Sequence, residues 1–200
     1  MEYFPVLLKG LLATLMISLI SIIIAAFPGA LVFWGKRSGA KIVRMLSTAY
    51  IELFEGIPLL AQLFFFFYAL PLIVPRFNFA TYATAIIVLT LNSIAHIASL
   101  GNAHADAFQK PIDYPNKLKV LVLVFILEFG RLIKYSTLLS VIAFVDLLRS
   151  AVVIMNSTSD ILALVIAIII YLILNIIIKS TYAVLKKAFF KNDIAEGAQC

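Results

Sequence analysis

The chain is 200 residues long, 64% of them hydrophobic and 13% charged, and its mean hydropathy is +1.09. Soluble domains average about 45–50% apolar and about 25% charged residues, so this composition excludes both a soluble globular domain and a disordered chain. The net charge of +6 comes from basic residues that lie between the hydrophobic runs, which indicates membrane topology rather than nucleic-acid binding. The single cysteine, Cys200, excludes an intrachain disulfide and a Cys/His metal cluster.

Four uncharged runs, and a further hydrophobic run that Glu128, Arg131 and Lys134 interrupt, predict an all-α membrane protein with about five transmembrane helices in one domain, residues 1–200. The first run, between Lys9 and Lys36, is too long for the apolar core of a signal peptide, which is about 7–15 residues. Pro28 is expected to bend or end the helix that this run forms. The predicted helices cover about residues 10–35, 50–75, 77–100, 119–145 and 160–180.

The distribution of basic residues predicts the orientation of these helices. Lysines and arginines cluster in segment 36–44 and in the tail 179–191, and the positive-inside rule places both segments in the cytoplasm. Five helices then put the N-terminus outside and the C-terminus in the cytoplasm. Segment 101–118, which contains Pro111 and Pro115, becomes a cytoplasmic loop with a short helix around 102–109. This loop is the natural place to meet a cytosolic partner.

Two sets of polar side chains interrupt the apolar runs. Asn92 and His96 lie four residues apart in the third predicted helix and therefore share a face. They either face a solute pathway or form hydrogen bonds that hold helices together. Glu52 and Glu55 border the second helix, where they either face the pathway or interact favourably with the dipole at a helix N-terminus.

Two opposite-charge pairs lie in the later part of the chain. Glu128 and Arg131 are three residues apart, as are Asp146 and Arg149. Such pairs reduce the cost of placing charge near the bilayer, so a structural role is favoured over a role in a pathway. The aromatic run Phe64–Tyr68 is likewise expected to face lipid or to pack between helices rather than to form a ligand cage.

Motifs for independent catalysis are absent from the sequence. It contains no phosphate-binding G-x-x-x-x-G-K-[ST], no H-E-x-x-H and no G-x-S-x-G. We therefore predict that the chain is not an enzyme by itself and has no catalytic residues, cofactor or metal site.

Two segments resemble a known family. Residues 50–65 read YIELFEGIPLLAQLFF, and residues 134–142 read KYSTLLSVI, followed by the Asp-Leu-Leu-Arg of 146–149. In order and spacing they resemble the Y-x-E-x-F-R-G-T-P-L-L-x-Q-L and K-x-[ST]-S-L-x-S-x-I segments of permeases of polar amino acid ABC importers, the histidine/glutamine type. The resemblance extends over about residues 8–98 and 132–180.

The resemblance implies a type I importer permease: a multi-pass subunit of the bacterial inner membrane that forms the translocation pathway for polar amino acids. The implied partners are a cytosolic ATP-binding subunit, an extracytoplasmic solute-binding protein, and a second copy or a sister permease, all in a lipid membrane. It implies that Asp106, Ala107 and Phe108 form the coupling loop to the ATPase, while Asn92, His96 and Glu52 are the candidate pathway residues.

Departures from the family pattern keep an alternative open. Glu55, Ile57 and Ser99 stand where the family has arginine, threonine and an acid, and the coupling-loop region is shortened, with Ile112 at the expected glycine. The alternative is a non-transporting or decayed membrane assembly or regulatory partner that no longer couples to an ATPase. Arginine, histidine, glutamine and glutamate are equally open as substrates.

Overall fold

A computed structural model describes residues 3–107 and 114–190, and the described chain is helical nearly throughout. Eight α-helices follow in order, and we number them α1 to α8. A π-helix, Phe65–Ala69, joins α3 to α4, and 3-10 helices occupy Pro75–Phe77 and Ser136–Ile142. The α-helices are α1 (Phe4–Lys36), α2 (Lys41–Gly56), α3 (Leu59–Phe64), α4 (Leu70–Ile73), α5 (Thr81–Ala107), α6 (Tyr114–Tyr135), α7 (Leu147–Thr158) and α8 (Leu162–Phe189).

Three of these helices are long and apolar enough to cross a membrane alone, namely Phe4–Lys36, Thr81–Asn102 and Leu162–Phe189. Two further spans arise if each bent pair counts as one: Lys41–Gly56 with Leu59–Ile73, bent by 93°, and Lys119–Ile142 with Leu147–Thr158, bent by 49°. The described part of the chain therefore has up to five spans, and the predicted all-helical membrane fold is confirmed.

Several predicted helix limits differ from the structure. Helix α1 does not end at Pro28, because a proline inside a long membrane helix is tolerated when neighbouring groups satisfy the freed carbonyl. The predicted helix 50–75 begins at Lys41 and is broken after Gly56, and the predicted helix 119–145 begins at Tyr114. Segment 101–118, predicted as a loop with a short helix around 102–109, continues the preceding helix up to Ala107 and is helical again from Tyr114.

The sharp break between α2 and α3 follows from local sequence. Proline disfavours the helical conformation in the residue before it, and Ile57, which precedes Pro58, is extended with φ −93° and ψ 125°. The break frees carbonyl groups at the end of α2. The Gln62 side-chain amide donates to the carbonyl oxygens of Phe54 and Ile57, both at 2.8 Å. Backbone groups at a break inside a membrane need such partners.

The helices pack around two clusters of buried apolar residues. The larger joins α1, α3, α5 and α6, with Leu63, Val88, Leu89 and Leu132 fully or almost fully buried. The smaller joins the start of α1 to α7 and α8. Small residues allow close approach: a Cβ built on Gly29 of α1 would lie 2.9 Å from Ile97 Cγ2 of α5.

Helix α8 has a mostly exposed apolar surface. Only Ala163 and Ala167 of this helix are buried, and both face the smaller cluster. Such a surface is suited to lipid or to another membrane helix. The aromatic run 64–68 is divided, since Phe64, Phe65 and Tyr68 are exposed whereas the other two phenylalanines pack against the larger cluster.

Candidate functional site

Four polar side chains meet in the interior between α5 and α6, and we call them the polar cluster: Asn92 and His96 of α5, and Glu128 and Arg131 of α6. Each pair lies three or four residues apart on its own helix, so each helix presents one polar face to the other. The two pairs are more than thirty residues apart in sequence, and the packing of α5 against α6 brings them together.

Glu128 is the centre of the cluster. Its side chain is fully buried, with 0% exposed, whereas the side chains of His96 and Arg131 are 25% and 16% exposed. Arg131 donates through Nε to Oε2 at 2.8 Å and through Nη2 to Oε1 at 2.6 Å, a bidentate pair. His96 Nδ1 lies 2.5 Å from Glu128 Oε2. An ionised carboxylate only accepts hydrogen bonds, so His96 is the donor in this contact.

The cluster reaches the break between α2 and α3 through Asn92. Arg131 Nη1 donates to Asn92 Oδ1 at 2.7 Å, and Asn92 Nδ2 donates to the carbonyl oxygen of Phe54 at 2.8 Å. The Phe54 carbonyl also accepts from Gln62. A hydrogen bond from the Tyr50 hydroxyl to the Leu91 carbonyl, 2.9 Å long, adds a second link between α2 and α5. One chain of hydrogen bonds therefore joins the helix break, α5 and α6.

A second buried acid has a different role. Asp146 caps α7 by accepting from the backbone N–H of Arg149 at 2.9 Å, and it accepts a longer bond, 3.3 Å, from the Tyr171 hydroxyl of α8. The Arg149 guanidinium does not form the predicted pair with Asp146 but donates to the Ser140 carbonyl at 2.9 Å. Thr14 of α1 accepts from the N–H of Leu147 at 3.1 Å. These contacts satisfy backbone groups at the second bent pair, which is a structural function.

The predicted site residues are distributed unevenly. Asn92 and His96 lie together, as their spacing predicted. Glu128 and Arg131 form the predicted pair with each other. In addition, Glu128 contacts His96, and Arg131 donates to Asn92. Glu52 is exposed on α2 and does not join the cluster.

The predicted coupling residues are described only in part. The backbone of Asp106 and Ala107 belongs to the end of α5, but their side chains, and Phe108 entirely, lie outside the described residues. Among residues that are described, no group of three His, Cys, Asp or Glu side chains could hold a metal ion.

Known proteins resemble this chain in sequence. No family model matches it. The arginine transport system permease protein ArtQ of Bacillus subtilis is 27% identical over 208 aligned positions, which cover 94% of each chain. A protein of Rickettsia prowazekii described as a glutamine transport system permease, GlnP, is 26% identical over 179 positions, 79% of this chain and 82% of that protein. YxeN of Bacillus subtilis, described as an amino-acid permease, is 33% identical over 101 positions, 50% of this chain and 45% of that protein.

The fold gives an independent comparison. A crystal structure of an amino acid ABC transporter with histidines superposes with a TM-score of 0.81 at 24% identity, covering 94% of this chain and 95% of the other. The chain is a homologue of amino-acid ABC transporter permeases. This confirms the resemblance inferred from residues 50–65 and 134–149, although at these identities the structural match itself establishes the fold alone.

Proposed function

We propose that the chain is the membrane-spanning permease subunit of an ATP-driven importer of polar amino acids. The observation that carries this proposal is that the transport permease ArtQ aligns over 94% of the chain. The fold match extends over the same share of the chain. The comparisons give no support to the non-transporting alternative.

The proposed assembly has four kinds of component. The chain pairs with a second copy or a sister permease in the inner membrane, with its N-terminus outside and its C-terminus in the cytoplasm. A cytosolic subunit binds and hydrolyses ATP, and an extracytoplasmic protein delivers the amino acid. Closure of the ATPase then switches the permease pair between outward-facing and inward-facing states, with Asp106, Ala107 and Phe108 at the coupling contact.

The polar cluster is the proposed pathway wall. Ionisable side chains inside a membrane protein are costly and usually face a cavity or a bundle interior where function needs them. Amino acids carry an ammonium and a carboxylate group, and the cluster contains both kinds of complementary charge. We assign the solute contact to His96, because it is more exposed than Arg131, the other side chain that contacts Glu128. Asn92 lies on the same face of the helix and is a second candidate for this contact.

ATP-dependent uptake tests the function directly. The permease is co-purified with its ATPase, placed in proteoliposomes and supplied with binding protein and with labelled arginine, histidine, glutamine and glutamate in turn. We expect His96→Gln to lower uptake about tenfold or more, as the loss of one charged hydrogen bond implies. Lys179→Gln is the matched control, because Lys179 is exposed on α8 outside the cluster, and it should transport normally.

Two outcomes would contradict the proposal. Absence of uptake by a wild-type complex that retains its ATPase would favour the non-transporting alternative, and equal uptake by His96→Gln and Lys179→Gln would remove the cluster from the pathway. The coupling contact has a separate test: Asp106→Lys should reduce recovery of the ATPase in a detergent pull-down without changing the amount of permease in the membrane.

A further inference from the structure

The polar cluster leaves a small set of hydrogen-bonding atoms within reach of a solute. Glu128 does not supply any of them, because its side chain is fully buried and its oxygens already accept from Arg131 and His96. The side chains of Arg131 and His96 are both partly exposed. A solute at the cluster therefore meets the arginine and the histidine rather than the carboxylate.

Arg131 has hydrogen-bond donors left after its contacts within the protein. A guanidinium carries five N–H groups. Nε and Nη2 each donate one to Glu128, and Nη1 donates one to Asn92. One N–H remains on each Nη atom, and no acceptor for it occurs within the described part of the chain. The ring of Tyr135, 4.8 Å from Arg131 Cζ, covers one face of the guanidinium, so the remaining donors are held in a fixed plane.

His96 offers an acceptor beside these donors. Its Nδ1 donates to Glu128, which leaves Nε2 as the second ring nitrogen. Arg131 already balances the charge of Glu128, so a charged imidazole would place a net positive charge inside the membrane at considerable cost. A neutral imidazole that donates through Nδ1 has a lone pair on Nε2. The carboxylate on the other nitrogen makes this lone pair more basic, as it does in histidines that bind metals.

The arginine and the histidine are held next to each other. Arg131 Nε and His96 Nδ1 contact the same oxygen, Oε2 of Glu128, at 2.8 and 2.5 Å. An amino acid carries its α-carboxylate and α-ammonium on one carbon, so adjacent donors and an acceptor match this part of the solute. Arginine, histidine, glutamine and glutamate differ in the charge of the side chain, and a cluster whose charges cancel favours neither sign. The carboxylate and the ammonium are the groups that all four share.

We infer that Arg131 binds the α-carboxylate of the amino acid through its two remaining N–H groups, and that His96 Nε2 accepts a hydrogen bond from the α-ammonium. This inference rests on the proposed function and adds which part of the solute the permease recognises. Planar guanidinium donors suit a carboxylate. Because the anionic and cationic groups bind together, the net charge of the site stays the same when the solute enters, and Glu128 keeps its partners.

Equilibrium binding to the permease–ATPase complex tests the inference. The binding protein is left out, because it would select the solute first. Calorimetry in nanodiscs compares each amino acid that the complete importer takes up with two analogues, one without the carboxylate and one without the ammonium. For arginine these are agmatine and δ-guanidinovalerate, and for glutamine γ-aminobutyramide and glutaramate. We expect the amino acid to bind at least about tenfold more tightly than either analogue, as the loss of a charged hydrogen bond implies.

Variants assign the two contacts separately. Arg131→Lys keeps the charge beside Glu128 but lacks the planar donors, so the preference over the analogue without a carboxylate should fall about tenfold while the other preference remains. His96→Phe should give the reverse pattern, whereas a merely structural role would lower the affinity for all three ligands alike. Arg44→Lys makes the same change at an exposed arginine of α2 outside the cluster and should keep both preferences.

Three results would overturn the inference while the proposed function stands. They are equal affinity of the wild type for the amino acid and its analogue without a carboxylate, unchanged preferences in Arg131→Lys, and absence of binding by a complex that does transport. If Arg131→Lys does not fold, Tyr135→Leu removes the ring contact instead and should weaken the same preference. A complete importer that takes up none of the four amino acids would refute the proposed function, and the inference with it.

Discussion

The buried carboxylate of Glu128 offers the sharpest test of how the protein holds charge in its interior. Its side chain is fully buried and pairs with Arg131 through two hydrogen bonds and with His96 through a third. In Glu128→Leu the volume is nearly kept, but Arg131 is left as an uncompensated charge in the interior. Breaking one side of a buried pair costs about 3–5 kcal/mol, and we expect the free energy of unfolding to fall by that amount.

A double variant separates this cost from a general effect on packing. Replacing both members, Glu128→Leu with Arg131→Met, removes the two buried charges together, and apolar replacement of a whole pair is often neutral. The main remaining loss is the Arg131 bond to Asn92 Oδ1, so we expect a cost of about 1–3 kcal/mol. The double variant should therefore be more stable than Glu128→Leu alone.

Equilibrium unfolding in mixed detergent and SDS micelles measures these free energies. Glu52→Leu is the control, because an exposed acid away from such contacts should change stability by no more than about 0.5 kcal/mol. Equal losses for Glu128→Leu and Glu52→Leu would refute the reasoning, as would a double variant whose cost equals the sum of the two single changes.

Three further changes are expected to lower stability in the same assay. Gly10→Ala places a Cβ 2.8 Å from the Asp146 carbonyl oxygen, a backbone atom that cannot turn aside, and should cost about 1–3 kcal/mol, whereas Gly56→Ala meets no atom within 4 Å and should be tolerated. Asp146→Ala removes the cap of α7 and the Tyr171 contact and should cost about 1–2 kcal/mol, with partial recovery in Asp146→Asn. Gln62→Leu leaves two carbonyls at the helix break without their donor and should cost about 1–3 kcal/mol. Equal free energies of unfolding for Gly10→Ala and Gly56→Ala would contradict the first prediction. An Asp146→Asn variant no more stable than Asp146→Ala would contradict the second, and an unchanged free energy of unfolding in Gln62→Leu would contradict the third.

The helix break shows where sequence reasoning reached its limit. The lengths of the hydrophobic runs predicted about five spans, and the described residues form up to five, because the length of a span is set by the thickness of the bilayer. The 93° bend at Ile57 was not predicted. Pro58 was visible in the sequence, but prolines also occur inside continuous membrane helices, as Pro28 does in α1. The difference is that Gln62 and Asn92 satisfy the carbonyl groups freed at Ile57 and Phe54, and such contacts are not local in sequence.

The sequence predicted the two pairs of the polar cluster separately but not the contacts between them, for a related reason. Helical spacing placed Asn92 and His96 on one face and paired Glu128 with Arg131, since both relations lie within one or two turns. Contacts between the halves depend on how α5 packs against α6. An isolated intramembrane charge pair is satisfied by itself, so nothing in the residues 128–131 indicated that Arg131 would also bond to Asn92.

The bonds of the cluster constrain how the permease can change shape. A movement of α6 against α5 would separate Arg131 from Asn92 or His96 from Glu128, and a charged hydrogen bond contributes about 1.5–3 kcal/mol before the cost of leaving Glu128 partly unpaired is counted. Unbending α2 against α3 would break the bonds to the Phe54 carbonyl as well. The motion with the lowest free-energy cost keeps the bent pair α2–α3, α5 and α6 together as one rigid unit. Alternating access in such a chain should therefore displace this unit relative to the rest of the assembly, leaving the buried charge paired in both states.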